Sequence, residues 1–300
     1  MKLIQKLSLI SLLLGASSFV TEPSDDNLPT VEVSCNNYEH ETKLWNLDLN
    51  RNKIKSFGPN TFIGCKNVAN LYLDDNQLVT IRQNDFVGLT NLKYLCLRRN
   101  KIESIEDGAL NFTHLTNLYL DNNQLQQLSD HTFTGMPELT YLSIDNNNLA
   151  RVGSSFQRLT KLQKISLAWN RIVDLNFTAL LQMPELTVIY LRSSGLTSIN
   201  TEYTPGVTYA VDDLDLAHNG IRQSDLLTRL RNCGNLTKLR LSGNSYDKLD
   251  ELERIGELLP KLRRISVGFQ YTYSEAQSMA SKSKRYVDIS PNDFPDIMYL

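Results

Sequence analysis

The side chains that could perform acid–base or metal chemistry are few and lie far apart along this chain. The four histidines are His40, His114, His131 and His218. The sequence contains no glycine-rich phosphate loop, no G-x-S-x-G, no H-E-x-x-H and no EF-hand loop. A cation site would need Asp74 and Asp75 together with Asp121, and acidic side chains exposed to solvent are the simpler interpretation of these residues. We therefore expect a non-catalytic protein with no metal site and no cofactor.

The composition points to a folded, water-soluble chain. Of 300 residues, 41% are hydrophobic and 21% are charged, which argues against wholesale disorder and a multi-span membrane protein. The formal net charge of −2 gives no strong attraction to nucleic acid or to an acidic membrane surface.

A repeat organises most of the sequence. The pattern begins as Leu44-xx-Leu47-x-Leu49-xx-Asn52 and recurs along the chain with asparagine at the same position of most copies. That position falls at residues 52, 76, 100, 123, 147, 170, 194, 219, 244 and 270, with Ser194 and Gln270 in place of asparagine. Each L-x-L core predicts a short strand with one buried face, and each asparagine predicts a turn whose amide satisfies backbone groups. Stacked coils of this kind form a solenoid with a parallel sheet.

The repeat register also predicts which side chains point outward from the sheet. Four tyrosines form one outward patch, which Trp169 and Tyr190 extend: Tyr72, Tyr94, Tyr119 and Tyr141. Tyrosine among asparagine and serine is typical of protein-recognition surfaces, although aromatic residues also favour strands for structural reasons. Charged residues flank the patch, and their opposite signs could orient a partner. The acidic flank is Asp74, Asp121 and Asp145, and the basic flank is Lys238, Arg240 and Arg264.

The four cysteines have different predicted roles. Cys65 and Cys233 occupy a core position of the repeat, where cysteine acts as a small buried hydrophobe. For Cys65, the alternative is a disulfide to Cys35. Cys96 lies between Leu95 and Leu97, so its thiol should face outward, either free or in an intermolecular disulfide.

The first residues predict export from the cell. Residues 1–18 combine Lys2 and Lys6 with a short apolar run and a small-residue cleavage site, as signal peptides do. Sequons at Asn111, Asn176 and Asn235 fit the same route, and no later stretch is long enough to span a membrane. We expect a secreted glycoprotein.

The predicted domain organisation follows from these segments. After the signal peptide we expect a leader and cap over 19–43, ten repeats over 44–270, and a degenerate last coil with a C-terminal cap over 271–300. Residues 31–35 should form a capping strand beside Leu47 and Leu49. Helical spacing of apolar residues predicts short helices over 224–230, 249–259 and 273–284.

The repeats over residues 44–270 resemble those of leucine-rich repeat proteins. The resemblance implies an α/β horseshoe solenoid with a parallel sheet on the concave face and an irregular or short-helical convex face. Among such proteins, the chain is similar to the leucine-rich immune proteins of mosquitoes and, more loosely, to Toll-type ectodomains. That similarity implies an extracellular immune recognition or scaffold role, a complement-like thioester protein as partner, and Cys96 or Cys35 as a linker between chains. A matrix or adhesion protein, or a soluble receptor-like ectodomain, is the alternative.

Overall fold

The computed structural model of the chain describes residues 17–20, 30–35, 45–173, 175–201, 203–250, 252–269, 271–282 and 288–290. The predicted apolar run of the signal peptide, His40 and the C-terminal tail lie outside the described residues. Backbone contacts divide the chain into two compact units, Met1–Lys161 and Leu162–Leu300, which we call unit 1 and unit 2.

Unit 1 is built on a parallel sheet that contains one strand from each repeat. The strands of unit 1, within this sheet and outside it, are β1 (Ser17–Val20), β2 (Thr30–Ser34), β3 (Trp45–Asp48), β4 (Ser56–Phe57), β5 (Val68–Tyr72), β6 (Thr80–Ile81), β7 (Tyr94–Cys96), β8 (Ser104–Ile105), β9 (Asn117–Tyr119) and β10 (Tyr141–Ser143). In the parallel sheet formed by β3, β5, β7, β9 and β10, the central leucines pair in register: Leu47, Leu71, Leu95, Leu118 and Leu142. All five are buried, because alternate side chains of a strand point to opposite faces. We call the other side of this sheet the open face.

The predicted capping strand forms, but its predicted position is wrong. Strand β2 pairs antiparallel with β1 and parallel with β4, so Val31 lies beside Phe57 rather than beside Leu47. Cys35 follows β2 directly and is bonded to Cys65. This bond holds the cap against the side of the first coil that carries β4.

The repeated asparagines form the predicted ladder. The side chain of Asn76 accepts hydrogen bonds from the backbone N–H groups of Asn52 and Ile54 at 3.0 and 2.9 Å. Its amide donates to the carbonyls of Leu49 and Leu73, both at 2.9 Å. One buried amide thus satisfies the backbone hydrogen-bonding groups of two successive coils, which is why asparagine recurs at this position.

The residue before each asparagine adopts a left-handed backbone conformation. In unit 1 the φ angle is 55° at Asp75 and 51° at Arg99, and in unit 2 it is 57° at Trp169 and 55° at His218. Left-handed φ is unfavourable for bulky residues, so Trp169 is the unusual occupant of this position.

A column of phenylalanines fills the side of unit 1 opposite the sheet. The rings of Phe62 and Phe86 stack with centroids 6.2 Å apart, and those of Phe133 and Phe156 stack at 5.9 Å. All four side chains are buried, and each lies nine or ten positions past a repeat asparagine.

Unit 2 repeats the parallel-sheet plan with more helix. Its strands are β11 (Lys164–Ser166), β12 (Val188–Tyr190), β13 (Asp213–Asp215), β14 (Lys238–Arg240), β15 (Arg264–Ser266) and β16 (Asp288–Ser290). Its helices are α1 (Phe177–Leu181), α2 (Leu226–Arg229), α3 (Ile255–Leu258) and α4 (Tyr273–Lys282), with a 3₁₀ turn at Leu252–Arg254. The three predicted helical regions contain helix, although two are shorter than predicted. Helix α1 was not predicted, and its signal is Asn176, whose side chain caps the N–H of Ala179 at 3.0 Å.

Candidate protein-binding surface

Four tyrosines on the open face of unit 1 form a continuous row of rings. We call Tyr72, Tyr94, Tyr119 and Tyr141 the tyrosine ladder. Successive ring centroids lie 5.2, 5.0 and 4.9 Å apart, with planes tilted by 36 to 43°. This spacing follows from the strand spacing, because each ring stands on the next strand of a parallel sheet. All four rings are half-buried, since each covers part of its neighbour.

Three hydroxyls of the ladder keep their protons at physiological pH. Burial raises the pKa of Tyr141 to about 12 and also raises the pKa values of Tyr94 and Tyr119. These three hydroxyls are therefore neutral and can each donate a hydrogen bond. Ring edges with hydroxyl tips combine apolar area with a polar contact, as protein-recognition surfaces require.

Cys96 lies beneath the ladder, and the predicted exposure of its thiol is wrong. The residue is only 3% exposed, and its thiol donates a hydrogen bond to Asp74 Oδ1 at 2.6 Å. Burial, followed by the hydrogen bond to Asp74, raises the pKa of this thiol to about 12. Neighbouring tyrosines cover the small side chain between them, which the alternation of the strand alone does not reveal. The thiol is free and buried, so the structure favours the first of the two predicted alternatives.

Asp121 is buried and ion-paired, so its prediction as part of an exposed acidic flank is wrong. It is 5% exposed and accepts a hydrogen bond from Arg98 Nε at 2.6 Å, as well as one from the Ser143 hydroxyl. The guanidinium of Arg98 lies 4.2 Å from the centre of the Tyr119 ring. Arg98 therefore joins the acid to the ladder by an ion pair and a cation–π contact. Asp74 and Asp145, the other two predicted acids, are half-buried.

Two predicted aromatic residues belong to unit 2 and differ in exposure. Trp169 is 55% exposed at its left-handed position, as a surface contact residue requires. Tyr190 is only 9% exposed, so its prediction as a surface residue is wrong. Lys164 Nζ lies 4.7 Å from the centre of its ring, and the phenol is packed among charged neighbours on the sheet.

The predicted basic flank is divided between a buried and an accessible part. Arg240 is 1% exposed, and its Nη1 contacts Asp213 Oδ1 at 2.6 Å, so its prediction as a surface charge is wrong. Pairing with Asp213 compensates for its loss of hydration. Lys238 also contacts Asp213, at 3.4 Å, and remains half-exposed, whereas Arg264 is exposed.

The predicted covalent sites have distinct environments. Cys35 and Cys65 form the predicted disulfide, so Cys35 is not free to link two chains. Asn111 and Asn176 are exposed. Asn235 is half-buried, and its amide donates to the carbonyl of Tyr209 at 2.9 Å while its oxygen accepts from Lys261 Nζ at 2.7 Å.

The role of Arg98 was missed at the sequence level. Arg98 stands two positions before Asn100, as Asp121 stands two positions before Asn123, so the repeat register places the two in neighbouring coils. That opposite-charge pair is a usable signal. Among the described residues, no group of three His, Cys, Asp or Glu side chains could hold a metal ion. Nor does any helix in the described ranges have the length and apolar character needed to cross a membrane.

Comparison with protein families identifies the repeat. The leucine-rich repeat model matches residues 42–102 and 113–172, and the model for two copies of leucine-rich repeats matches residues 90–132. None of the curated proteins matches the sequence.

Solved structures share the fold. A leucine-rich repeat protein of Leptospira interrogans, LIC12759, is 26% identical with a TM-score of 0.60, covering 74% of this chain and 54% of that one. The leucine-rich repeat domain of the mosquito protein APL1B is 21% identical with a TM-score of 0.57, covering 75% and 64%. Toll in the Drosophila Toll–Spatzle complex is 20% identical with a TM-score of 0.62, covering 72% and 28%. The chain spans less than two thirds of each of these structures. Repeat pattern, family match and fold therefore agree: residues 42–172 match leucine-rich repeats, and the chain has the leucine-rich repeat solenoid fold.

Proposed function

We propose that this chain is a secreted, non-catalytic protein that binds a protein partner through the tyrosine ladder. The observation that carries the proposal is the row of four tyrosine rings in mutual contact on the open face of unit 1. Aromatic residues favour strands for structural reasons, but four of them in a row on one open face are also the residue type in which interfaces concentrate their binding energy.

The ladder is already organised for binding. Each ring is held by its neighbours, and Tyr119 is also held by Arg98. Few rotamers are therefore lost when a partner docks, which reduces the entropic cost of association. The polar groups beneath the rings are already satisfied by Asp74, Arg98 and Asp121.

The compartment and biological role belong to the same proposal. The predicted signal peptide, the exposed sequons at Asn111 and Asn176, and the Cys35–Cys65 disulfide all suit an oxidising extracellular compartment. An innate-immune recognition or scaffold role is the class we favour, since the fold is similar to APL1B and to Toll. A complement-like thioester protein is the partner that this class implies. A matrix or adhesion role, or a soluble receptor-like ectodomain, is the second candidate.

The test is a pull-down from the extracellular fluid of the source organism, read by mass spectrometry. We expect wild type to recover a specific partner and the Tyr94→Ala, Tyr119→Ala variant to lose it. A Tyr203→Ala, Tyr273→Ala variant is the matched control, because both tyrosines are exposed, at 45% and 65%, and lie outside the ladder. Circular dichroism should confirm that both variants are folded.

The outcomes separate the alternatives. Equal recovery by wild type and the ladder variant would show that the rings only pack. A Tyr94→Phe, Tyr119→Phe variant should keep most of the binding, since it retains the apolar rings. The recovered partner distinguishes the classes: a thioester protein favours immunity, and a matrix component favours adhesion.

A further inference from the structure

The rings of the tyrosine ladder lie close to one straight line across the strands. Their centroids are 5.2, 5.0 and 4.9 Å apart. These steps are only slightly longer than the about 4.8 Å that separates neighbouring strands, so there is little sideways displacement between rings. In the strand register Tyr72 and Tyr119 occupy one column, and Tyr94 and Tyr141 occupy the column two positions earlier. Every second ring therefore repeats the same position two strands further along.

The repeat of the ladder is close to the repeat of a polyproline II helix. Two strand spacings amount to about 9.6 Å. A polyproline II helix has three residues per turn and rises about 3.1 Å per residue, which gives about 9.3 Å per turn. Three steps of about 5 Å carry the row of rings over about 15 Å, so about five residues of such a helix cover it and stay within about 1 Å of the ring positions. An extended β-strand presents the same face every 6.6 Å or so, which matches neither one ring step nor two.

Two carboxylates lie at the first ring of the ladder. Asp48 pairs with Tyr72 in the register of β3 and β5, and its exposed side chain accepts a hydrogen bond from the N–H of Asn50 at 3.0 Å. Asp74 stands two positions after Tyr72 and accepts the hydrogen bond from the thiol of Cys96. Within the part of the chain that the structure describes, neither carboxylate forms an ion pair. This end of the ladder therefore complements a positive charge on a ligand.

We propose that the tyrosine ladder binds a proline-rich segment of its partner in the polyproline II conformation, with a lysine or arginine at the Tyr72 end. The inference rests on the proposed function and names the kind of segment that the ladder binds. Proline rings pack on aromatic side chains, and a polyproline II helix is already ordered before it docks, so little entropy is lost. Its carbonyls have no internal partners and are available to the tyrosine hydroxyls. An α-helix is about 10 Å across and docks into a groove with two walls, whereas the ladder is a single row.

The test is fluorescence anisotropy with three labelled peptides of equal length. The first is arginine followed by eight prolines, the second has glutamate in place of the arginine, and the third is arginine followed by alternating glycine and serine. We expect wild type to bind the arginine–proline peptide about tenfold more tightly than the glycine–serine peptide, because only the first is apolar and ordered. The glutamate–proline peptide should bind about two- to fivefold more weakly than the arginine–proline peptide, which is the effect of one exposed charge.

The ladder variant shows whether the rings are the binding site. Tyr94→Ala, Tyr119→Ala should bind the arginine–proline peptide about tenfold more weakly, because two rings of the row are lost. Tyr203→Ala, Tyr273→Ala is the matched control, since both of these tyrosines are exposed outside the ladder, and it should bind like wild type.

A charge variant tests the acidic end of the ladder. Asp48→Asn should reduce the preference for the arginine–proline peptide over the glutamate–proline peptide. Glu103→Gln is the matched control, because it removes the same charge from an exposed residue outside the parallel sheet, and it should leave the preference unchanged.

Several results would overturn the proposal. These are equal binding of the arginine–proline and glycine–serine peptides, no binding by wild type, or unchanged affinity in the ladder variant. Tighter binding of an amphipathic helical peptide would also overturn it. The peptide comparison uses wild type alone, so it decides the question even if a variant misfolds.

Addition of the arginine–proline peptide to the pull-down separates this inference from the proposed function. We expect the peptide to displace the partner from wild type. If the ladder variant loses the partner but the peptide does not displace it, the proposed function stands and this inference is wrong. Equal recovery of the partner by the ladder variant would overturn both.

Discussion

The Asn76→Ala substitution measures how much one member of the asparagine ladder stabilises the fold. The side-chain amide of Asn76 bonds the backbone N–H groups of Asn52 and Ile54 and the carbonyls of Leu49, Leu73 and Asp74. Alanine can replace none of these bonds. The Leu73 and Asp74 carbonyls keep other donors, so three groups lose their partner: the N–H groups of Asn52 and Ile54 and the carbonyl of Leu49. These groups stay near the buried turn because the leucines beside them are fixed in the core.

The expected cost follows from the number of groups left without a partner. Each buried backbone group that loses its hydrogen bond costs about 1–3 kcal/mol. Three such groups give an upper range of roughly 3–9 kcal/mol, and water that enters at the turn offsets part of it. We expect a loss of about 2–5 kcal/mol in the free energy of unfolding, which is a large share of a typical domain's stability.

Urea denaturation monitored by circular dichroism would measure this loss. Asn84→Ala is the matched control, because Asn84 is exposed and the same atoms are removed. That variant should lie within about 0.5 kcal/mol of wild type. If Asn76→Ala cost less than about 1 kcal/mol, the reasoning would be refuted, since water would then satisfy the three groups as well as Asn76 does.

Four further predictions follow from the described contacts. Cys96 should resist iodoacetamide in the native protein and react in urea, because its thiol is buried and its pKa is raised to about 12; native labelling near pH 8 would contradict this. Since that pKa is raised above the ordinary thiol value, the stability contributed by the neutral thiol should be complete below about pH 9 and fall as the pH approaches 12, which urea melts at several pH values would measure. Arg240→Met should cost about 3–5 kcal/mol in urea melts because it leaves Asp213 buried with a weaker partner, and an Asp213→Leu, Arg240→Met double variant should recover most of that loss; no recovery would mean that the pair matters for shape rather than charge. In protein secreted from insect cells, peptide mass spectrometry should find glycan at Asn111 more often than at Asn235, whose amide is engaged on both sides; the reverse order would contradict the structure.

The repeat made the backbone plan predictable from the sequence. A spacing that returns an asparagine at Asn76, Asn100 and Asn123 predicts the turns, and the alternation around it separates buried leucines from outward residues. For this reason the strands of the parallel sheet, the asparagine ladder and the contiguity of the tyrosine ladder were all predicted. The Cys35–Cys65 bond was one of two open alternatives, because sequence alone does not give the distance between two coils.

Burial on the open face was not predictable in the same way. Alternation states only that Cys96, Asp121 and Arg240 point away from the leucines. It does not state whether the neighbouring side chains are large enough to cover them. Cys96 lies between Tyr72 and Tyr119 of the adjacent strands, Asp121 is bonded to Arg98, and Arg240 is bonded to Asp213, and all three are buried.

Those burial results bear directly on where a partner can bind. A charge that is paired beneath a ring, such as Asp121 with Arg98, holds the ring in place but offers no free charge to a ligand. The tyrosine ladder should therefore contribute mainly through its rings and hydroxyls, with weak dependence on salt. Binding of a partner through the ladder should thus change little with ionic strength, which the pull-down repeated at several salt concentrations would measure.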